Sequence, residues 1–232
     1  MDKFYYFLLV FDYFAVVYFF LVNGTYLFLN IKAFFSIRKY WSARETVEFE
    51  NVFQSEFYKP VSIIIPAYNE ELTIVDNISS ILSLQYPEYE LVVVNDGSKD
   101  GTIEELKDKF NLVISTRSYR KDLETEQVKE VYDSTDYPNL VVVDKENGGK
   151  ADALNAGINI AQFPLVCNVD ADSLIDDHAL LKIVEPFSKD WRVVAAGGTI
   201  RVANDCEIRG GQVTKVRLAK KPLVRMQVLE YL

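Results

Sequence analysis

The stretch YELVVVNDGSKDGT, residues 89–102, decides the fold class of this chain. Its centre, Leu91 to Val94, is apolar throughout and lacks the alternation of apolar and polar residues that marks a strand with one face in water. The residues that follow, Asn95-Asp96-Gly97, favour a turn. A short apolar run of this kind is typical of a strand covered on both faces by helices. The stretch therefore predicts an α/β fold.

The same pattern recurs on both sides of this stretch. Three more apolar runs each predict a strand: VSIIIPA (61–67), LVVVDK (140–145) and PLVCNVDAD (164–172). A helical pattern of apolar residues follows each predicted strand: LTIVDNISSILSL (72–84), IEELKDKF (103–110), KADALNAGINIAQ (150–162) and HALLKIVEPF (178–187). We expect a mostly parallel sheet with helices on both faces, extended by a further strand at WRVVAAGGTIRV, 191–202. The charged segment 111–138 shows no period and is interpreted as an insertion or loop.

The first forty residues differ from the rest in being rich in Phe, Tyr, Leu and Val. Their densest part, FAVVYFFLVNGTYLFLNI (14–31), has about the length of a helix that spans a bilayer. A signal peptide and a buried helix are the alternatives, but the apolar region is long for a signal peptide and no small-residue cleavage site follows. Only Lys3 precedes the span, whereas four basic residues follow it: Lys32, Arg38, Lys39 and Arg44. The positive-inside rule therefore predicts a single-pass protein of the cell membrane whose remainder is cytoplasmic.

These features predict a membrane anchor at 1–40, a polar linker at 41–59 and one α/β domain at 60–232. The net charge of −9 and the absence of an Arg-rich tract argue against nucleic acid as a partner. The two cysteines, Cys167 and Cys206, lie too far apart for a zinc-binding spacing. An anionic ligand would need a local cation.

Polar residues follow each of the four predicted parallel strands at the point where the strand ends. They are Tyr68-Asn69-Glu70, Asn95-Asp96-Gly97, Asn147-Gly148-Gly149-Lys150 and Asp170-Ala171-Asp172. Each group alone has an ordinary structural interpretation as a turn, a strand-to-helix link or a helix cap. Ligands of open parallel sheets bind beyond the carboxyl ends of the strands, so the shared position of the four groups predicts a binding site there.

The acid pair Asp170 and Asp172 points to the chemistry of this site. On an extended backbone, side chains two residues apart share a face and would repel each other unless a cation lies between them, most simply Mg²⁺ or Mn²⁺. Such an ion leaves positions for the phosphates of a nucleoside diphosphate, which Lys150 and its helix N-terminus can also bind. Neither a G-x-G-x-x-G fingerprint after the first strand nor a P-loop is present, which argues against a dehydrogenase and a P-loop ATPase.

Four motifs, VSIIIPAYNEE, VVVNDGSKDGT, KENGGKADALNAGI and NVDADS, resemble the donor-binding half of family 2 glycosyltransferases. The resemblance covers residues 60–232 and is greatest to the membrane synthases of cellulose, hyaluronan and poly-N-acetylglucosamine. It implies a GT-A fold, a UDP-sugar donor, a divalent metal bound by a D-x-D motif, and a polysaccharide or lipid acceptor. The family's roles carry over to Ala67, Tyr68 and Glu70 at the nucleoside, Asp96 at the uracil edge, Lys150 and Asp152 at the uridine diphosphate, and Asp170 and Asp172 at the metal.

The chain departs from the family after Asp172. The carboxylate that serves such enzymes as general base lies in a later motif, and processive members add Q-x-x-R-W; neither pattern is present. We therefore expect the donor-binding part of a longer enzyme, which would not transfer sugar by itself. Two alternatives stay open: a non-processive transferase that acts on a polyprenyl phosphate, and a nucleotide-sugar-binding module without catalysis. His178 and the pair Lys220-Lys221 are interpreted as solvated surface residues.

Overall fold

The computed structural model describes residues 2–44, 58–199, 202–209 and 212–230. The chain divides into two compact units, Met1–Asn51 and Val52–Leu232. The described residues of the first unit form helix α1 (Asp2–Arg44), whose segment Phe4–Ser36 is long and apolar enough to cross a membrane. Two of its polar side chains bond to the helix itself: Asn23 Nδ2 donates to the Phe19 carbonyl at 2.7 Å, and Thr25 Oγ1 donates to the Leu21 carbonyl at 2.9 Å. The predicted apolar helix is therefore present, while its position in a membrane stays a prediction.

The second unit is built on a six-stranded sheet. In chain order its strands are β1 (Val61–Ala67), β2 (Tyr89–Asp96), β3 (Leu112–Ile114), β4 (Val128–Ser134), β5 (Leu140–Lys145) and β6 (Leu165–Asn168). Their spatial order is β3-β4-β5-β2-β1-β6. The strands β5, β2, β1 and β6 are parallel, whereas β4 is antiparallel to both of its neighbours. The predicted mostly parallel sheet is confirmed.

Helices cover both faces of the sheet. They are α2 (Ile74–Leu82), α3 (Thr102–Lys109), α4 (Lys150–Ile160) and α5 (Ala179–Lys189); a further helix, α6 (Pro222–Glu230), follows later in the chain. Side chains of α2, α3 and α5 pack on one face with Ile63 and Ile65 of β1, and α4 packs on the opposite face with Ile64. A Cβ at Gly157 would collide with Ile64, so this glycine lets α4 lie directly on the sheet. The unbroken apolar runs thus form strands buried on both sides, as expected.

Two expectations about strands were wrong. The segment 111–138 is not only a loop, because it contains β3 and β4; strand β4 buries Val131 and Tyr132 while its charged neighbours face solvent, which hid it among charged residues. The strand expected at 191–202 is absent from its described residues, since none of them pairs with another strand and Trp191 is 89% exposed. Beyond it, β7 (Glu207–Arg209) and β8 (Gln212–Lys215) form a separate antiparallel pair.

Candidate nucleotide-sugar site

The carboxyl ends of β1, β2, β5 and β6 meet at one edge of the sheet, where they form a pocket of about 500 Å³. Seven of the eight predicted site residues line this pocket: Ala67, Tyr68, Glu70, Asp96, Lys150, Asp170 and Asp172. The eighth, Asp152, lies behind the pocket wall and contacts Lys145. Residues more than 100 positions apart in the sequence are thus brought to one place, while their roles toward a ligand stay predictions.

The loops after β1 and β2 are bonded to each other. Asn69 adopts a left-handed conformation with φ of 57°, its amide N–H donates to Ser98 Oγ at 3.0 Å, and its side-chain oxygen accepts from the amide of Lys99 at 2.8 Å. The amide of Glu70 donates to Thr102 Oγ1 at 2.9 Å. This bonding fixes the wall of the pocket that carries Tyr68, which is 44% exposed.

The acid pair is presented by a turn anchored in the core. Ala171 is buried and packs in the core, while Asp170 and Asp172 on either side of it are exposed and line the pocket. The side-chain amide of Asn77 on α2 donates a hydrogen bond to the Ala171 carbonyl. Sequence reasoning missed Asn77, although an amide among the apolar positions Ile74, Ile78 and Ile81 was a visible signal. Both carboxylates therefore line one pocket, but the strand ends at Asn168, so the pair lies on a turn and not on the extended backbone from which the i, i+2 argument started.

Asp170 already binds a cation of the protein, because the ammonium of Lys150 lies 2.5 Å from its Oδ1. Both groups are exposed, so a ligand can reach them. Within the described residues, no cluster of three or more His, Cys, Asp or Glu side chains could hold a metal ion. Two carboxylates that accept a positive charge, with no further protein ligand, fit Mg²⁺ or Mn²⁺ that completes its coordination with phosphate oxygens and water.

Asp96 lies at the floor of the pocket and is only 3% exposed. Its carboxylate accepts hydrogen bonds from the amides of Gly148 at 3.0 Å and Gly149 at 2.7 Å, and from Asn147 Nδ2 at 3.2 Å. Gly97 has a φ of 65°, and a Cβ there would lie 2.7 Å from the Asn147 amide nitrogen. Asp96 and Gly97 therefore hold the segment 147–149, which leads into α4.

Lys145, at the end of β5, is a buried cation that sequence reasoning missed. Its side chain is fully buried, its ammonium donates to Asp96 Oδ1 at 2.7 Å, and it forms an ion pair with Asp152. Burial alone would lower the pKa of Lys145, but hydrogen bonds and charges of Asp152 and Asp96 outweigh burial and raise the pKa. The lysine therefore stays charged. In the sequence, this buried lysine is indicated by its position at the end of the apolar run LVVVDK.

The acids that follow Asp172 do not reach the pocket in the described part of the chain. Four of them form ion pairs with basic residues: Asp176 with Lys182, Glu185 with Lys189, Asp190 with Arg192 and Glu207 with Arg217. None of these carboxylates lines the pocket. The described residues thus offer no evident general base, and His178 is exposed as expected.

Comparisons with known proteins identify the family. The family model "Glycosyl transferase family 2" matches residues 62–226, and the chain belongs to this family. It is 36% identical over 151 residues to the poly-beta-1,6-N-acetyl-D-glucosamine synthase of Staphylococcus epidermidis strain RP62A, covering 65% of this chain and 31% of the relative. A second synthase of this name from Staphylococcus epidermidis is 32% identical over 205 residues, covering 88% of this chain and 41% of the relative.

Among solved structures, the chain is similar to a mannosyltransferase from Pyrobaculum calidifontis in complex with GDP-Man and Mn²⁺, at 25% identity and a TM-score of 0.44. The match covers 57% of this chain and 33% of the mannosyltransferase. This chain spans less than half the length of the curated relatives described above.

Proposed function

We propose that this chain is the donor-binding part of a membrane polysaccharide synthase, and that its pocket binds a UDP-sugar together with a divalent metal ion. One observation carries the proposal: the residues that the family resemblance assigns to the donor line a single pocket at the carboxyl edge of the sheet. At this edge, Asp170 and Asp172 can bind a metal ion, and Lys150 supplies a positive charge for an anionic donor. A bound Mg²⁺ or Mn²⁺ would stabilise the charge that develops on the departing UDP.

Each group of residues has a separate task in this proposal. Tyr68 and Ala67 contact the nucleoside, Lys150 and the N-terminus of α4 bind the diphosphate, and the two acids of the D-A-D turn hold the metal. Asp96 contacts the uracil edge, and Glu70 completes the nucleoside side of the pocket.

Calorimetric titration of the full chain in detergent with UDP and Mn²⁺ tests the site. Asp172→Asn and Asp170→Asn keep the shape of the side chain but remove its charge, so each should abolish or strongly weaken UDP binding that depends on the metal. Asp190→Asn is the control, because Asp190 pairs with Arg192 outside the pocket. UDP affinity that neither EDTA nor the two pocket substitutions change would contradict the metal assignment.

The relatives named above as poly-beta-1,6-N-acetyl-D-glucosamine synthases suggest UDP-N-acetylglucosamine as the donor and the growing polysaccharide as the acceptor. Weaker binding of UDP-N-acetylglucosamine than of UDP-glucose would contradict this choice of sugar. The alternative acceptor, a polyprenyl phosphate, uses the same donor site and differs only in the second substrate.

The proposal places residues 1–40 as a membrane anchor, 41–59 as a linker and 60–232 as a cytoplasmic transferase domain. It rests on the apolar helix α1 and on the basic residues that follow its apolar part. In protease-protection assays on sealed cells, the regions around Lys99 and Lys150 should be shielded from external protease. Cleavage in these regions from outside would contradict the orientation.

A further inference from the structure

Lys145 occupies the centre of a charge cluster beneath the pocket. Its ammonium has three N–H donors and lies against three protein oxygens, in Asp96, Asp152 and the Glu146 carbonyl. The side chain is fully buried and does not line the pocket. Lys145 therefore has no donor available to a ligand, and any effect on binding must pass through its two acidic partners.

Asp96 and Asp152, the two acidic partners of Lys145, fix the backbone that forms part of the pocket. Asp96 binds the amides of Gly148 and Gly149, the two residues before Lys150. Asp152 lies in the first turn of α4. Its carboxylate lies so close to Gly148 that a Cβ at residue 148 would collide with it. The other Asp152 oxygen accepts the amide of Glu126 at 2.9 Å, which ties the segment after β3 to the same cluster. The position of Lys150 thus depends on both carboxylates.

The two carboxylates contact the same ammonium and would repel each other without it. Because Asp96 binds residues 147–149 and Asp152 belongs to the first turn of α4, their separation would displace the backbone that aims Lys150 and the N-terminus of α4 at the pocket. We propose that Lys145 is a positioning residue for the donor diphosphate, acting through Asp96 and Asp152 on Lys150. This inference rests on the proposed function of the pocket.

The test is a double-mutant cycle measured by calorimetry with UDP and Mn²⁺ on the full chain. Lys145→Met should weaken UDP binding by about 10–100-fold, the range typical when a residue that orients binding groups is removed. In a Lys150→Met background the additional loss should be less than about threefold, because the displaced group is already missing. Lys129→Met is the matched control, since Lys129 pairs with Glu146 on the exposed side of the same segment, and it should leave the affinity unchanged.

A second variant covers the case in which Lys145→Met does not fold. Lys145→Met with Asp152→Asn keeps the net charge of the cluster and removes the repulsion between the two carboxylates, so it should fold and should bind UDP within about threefold of Asp152→Asn alone. A further loss of about tenfold or more from Lys145→Met in the Asp152→Asn background would overturn the positioning role, as would losses from Lys145→Met and Lys150→Met that simply add. Wild-type chain that binds no UDP at all would instead contradict the proposed function, and the positioning role with it.

Discussion

The Lys150 ammonium lies 2.5 Å from Asp170 Oδ1, although 20 residues separate the two in the sequence. The contact joins the start of α4 to the turn after β6, at the rim of the pocket. A lysine in this position neutralises one acid of the pair that we propose as the metal site. The same ammonium is also our candidate for binding the donor diphosphate. A metal ion at Asp170 would compete with the ammonium for this carboxylate, so a metal ion and a nucleotide would together draw Lys150 from Asp170 to the phosphates.

Lys150→Met should therefore have opposite effects on the two ligands. Without nucleotide, the affinity for Mn²⁺ should rise by up to about fivefold, because an exposed ion pair that competes with the metal is worth at most about 1 kcal/mol. With metal present, the affinity for UDP should fall, since a cation at the phosphates is lost. Both are measured by calorimetry on the full chain.

Lys182→Met is the matched control for this prediction. Lys182 forms a comparable exposed ion pair, 2.9 Å from Asp176, outside the pocket, and its loss should change neither affinity. A Lys150→Met chain that binds Mn²⁺ no better than wild type would show that the ion pair does not compete with a metal.

The chain should prefer UDP to CDP if Asp96 reads the base. Uracil N3–H can donate to the carboxylate, whereas cytosine N3 is itself an acceptor that would face it without a donor; an unpaired buried acceptor costs about 1–3 kcal/mol. Asp96 already accepts several hydrogen bonds, and the longest, from Asn147 at 3.2 Å, is the one that a uracil N3–H could replace. Competition titrations with UDP and CDP measure the preference. Equal affinities would leave Asp96 with its scaffold role alone.

The parts of the fold that the sequence predicted are those with local signals. Apolar runs identify strands buried on both faces, and the turn residues after them identify one edge of a parallel sheet, so the pocket could be assembled in advance. The sequence did not predict strand β4, because this strand lies near the sheet edge and exposes charged residues such as Lys129 and Glu130. Such a strand has the composition of a loop, and only its pairing with β5 distinguishes it.

The roles of Lys145 and Asn77 could not be predicted from the sequence for a different reason. Each acts through a partner that is distant in sequence: Asp96 is 49 residues from Lys145, and Ala171 is 94 residues from Asn77. A single sequence carries no record of such contacts. What it does show is a polar residue in an apolar pattern, which is a reason to expect a buried partner but does not say which one.

Asp100 should make the stability of the domain sensitive to acid. Burial alone would raise the pKa of Asp100, but hydrogen bonds from Thr102 and from the amide of Glu71 outweigh it and lower the pKa. Because the folded-state pKa lies below the unfolded one, the stabilisation is complete at neutral pH. It declines as the pH falls through the unfolded pKa of about 3.8 and is lost below the folded pKa.

Asp100→Asn should therefore lower the melting temperature at neutral pH by about 2 °C, and the difference from wild type should shrink between about pH 5 and pH 3. Circular dichroism melts across this range measure it. Thr102→Val removes one of the hydrogen-bond donors to Asp100. It should likewise make the stability of the domain less dependent on pH. If the difference in melting temperature between wild type and Asp100→Asn grew as the pH fell, the lowered pKa of Asp100 would be contradicted.

The chain by itself should bind UDP-N-acetylglucosamine with Mn²⁺ but transfer no sugar. Inverting transfer needs a carboxylate within hydrogen-bond reach of the acceptor hydroxyl, which contributes roughly 10²–10⁴-fold to the rate. In the described residues after Asp172, Asp176 and Glu207 are examples of acids that pair with basic residues outside the pocket. Positioning of the acceptor, a larger contribution still, has no evident site in the described residues.

Release of UDP and formation of polymer from labelled donor measure this prediction on the purified full chain, with the Staphylococcus epidermidis synthase of similar sequence as positive control for the assay. We expect donor binding by calorimetry together with turnover no faster than spontaneous hydrolysis. Adding a separately produced segment that corresponds to the rest of the relative should restore transfer if the two parts associate. Polymer made by the chain alone, and abolished by Asp172→Asn, would contradict the prediction; Glu207→Gln would then show whether Glu207, once freed from Arg217, is the base.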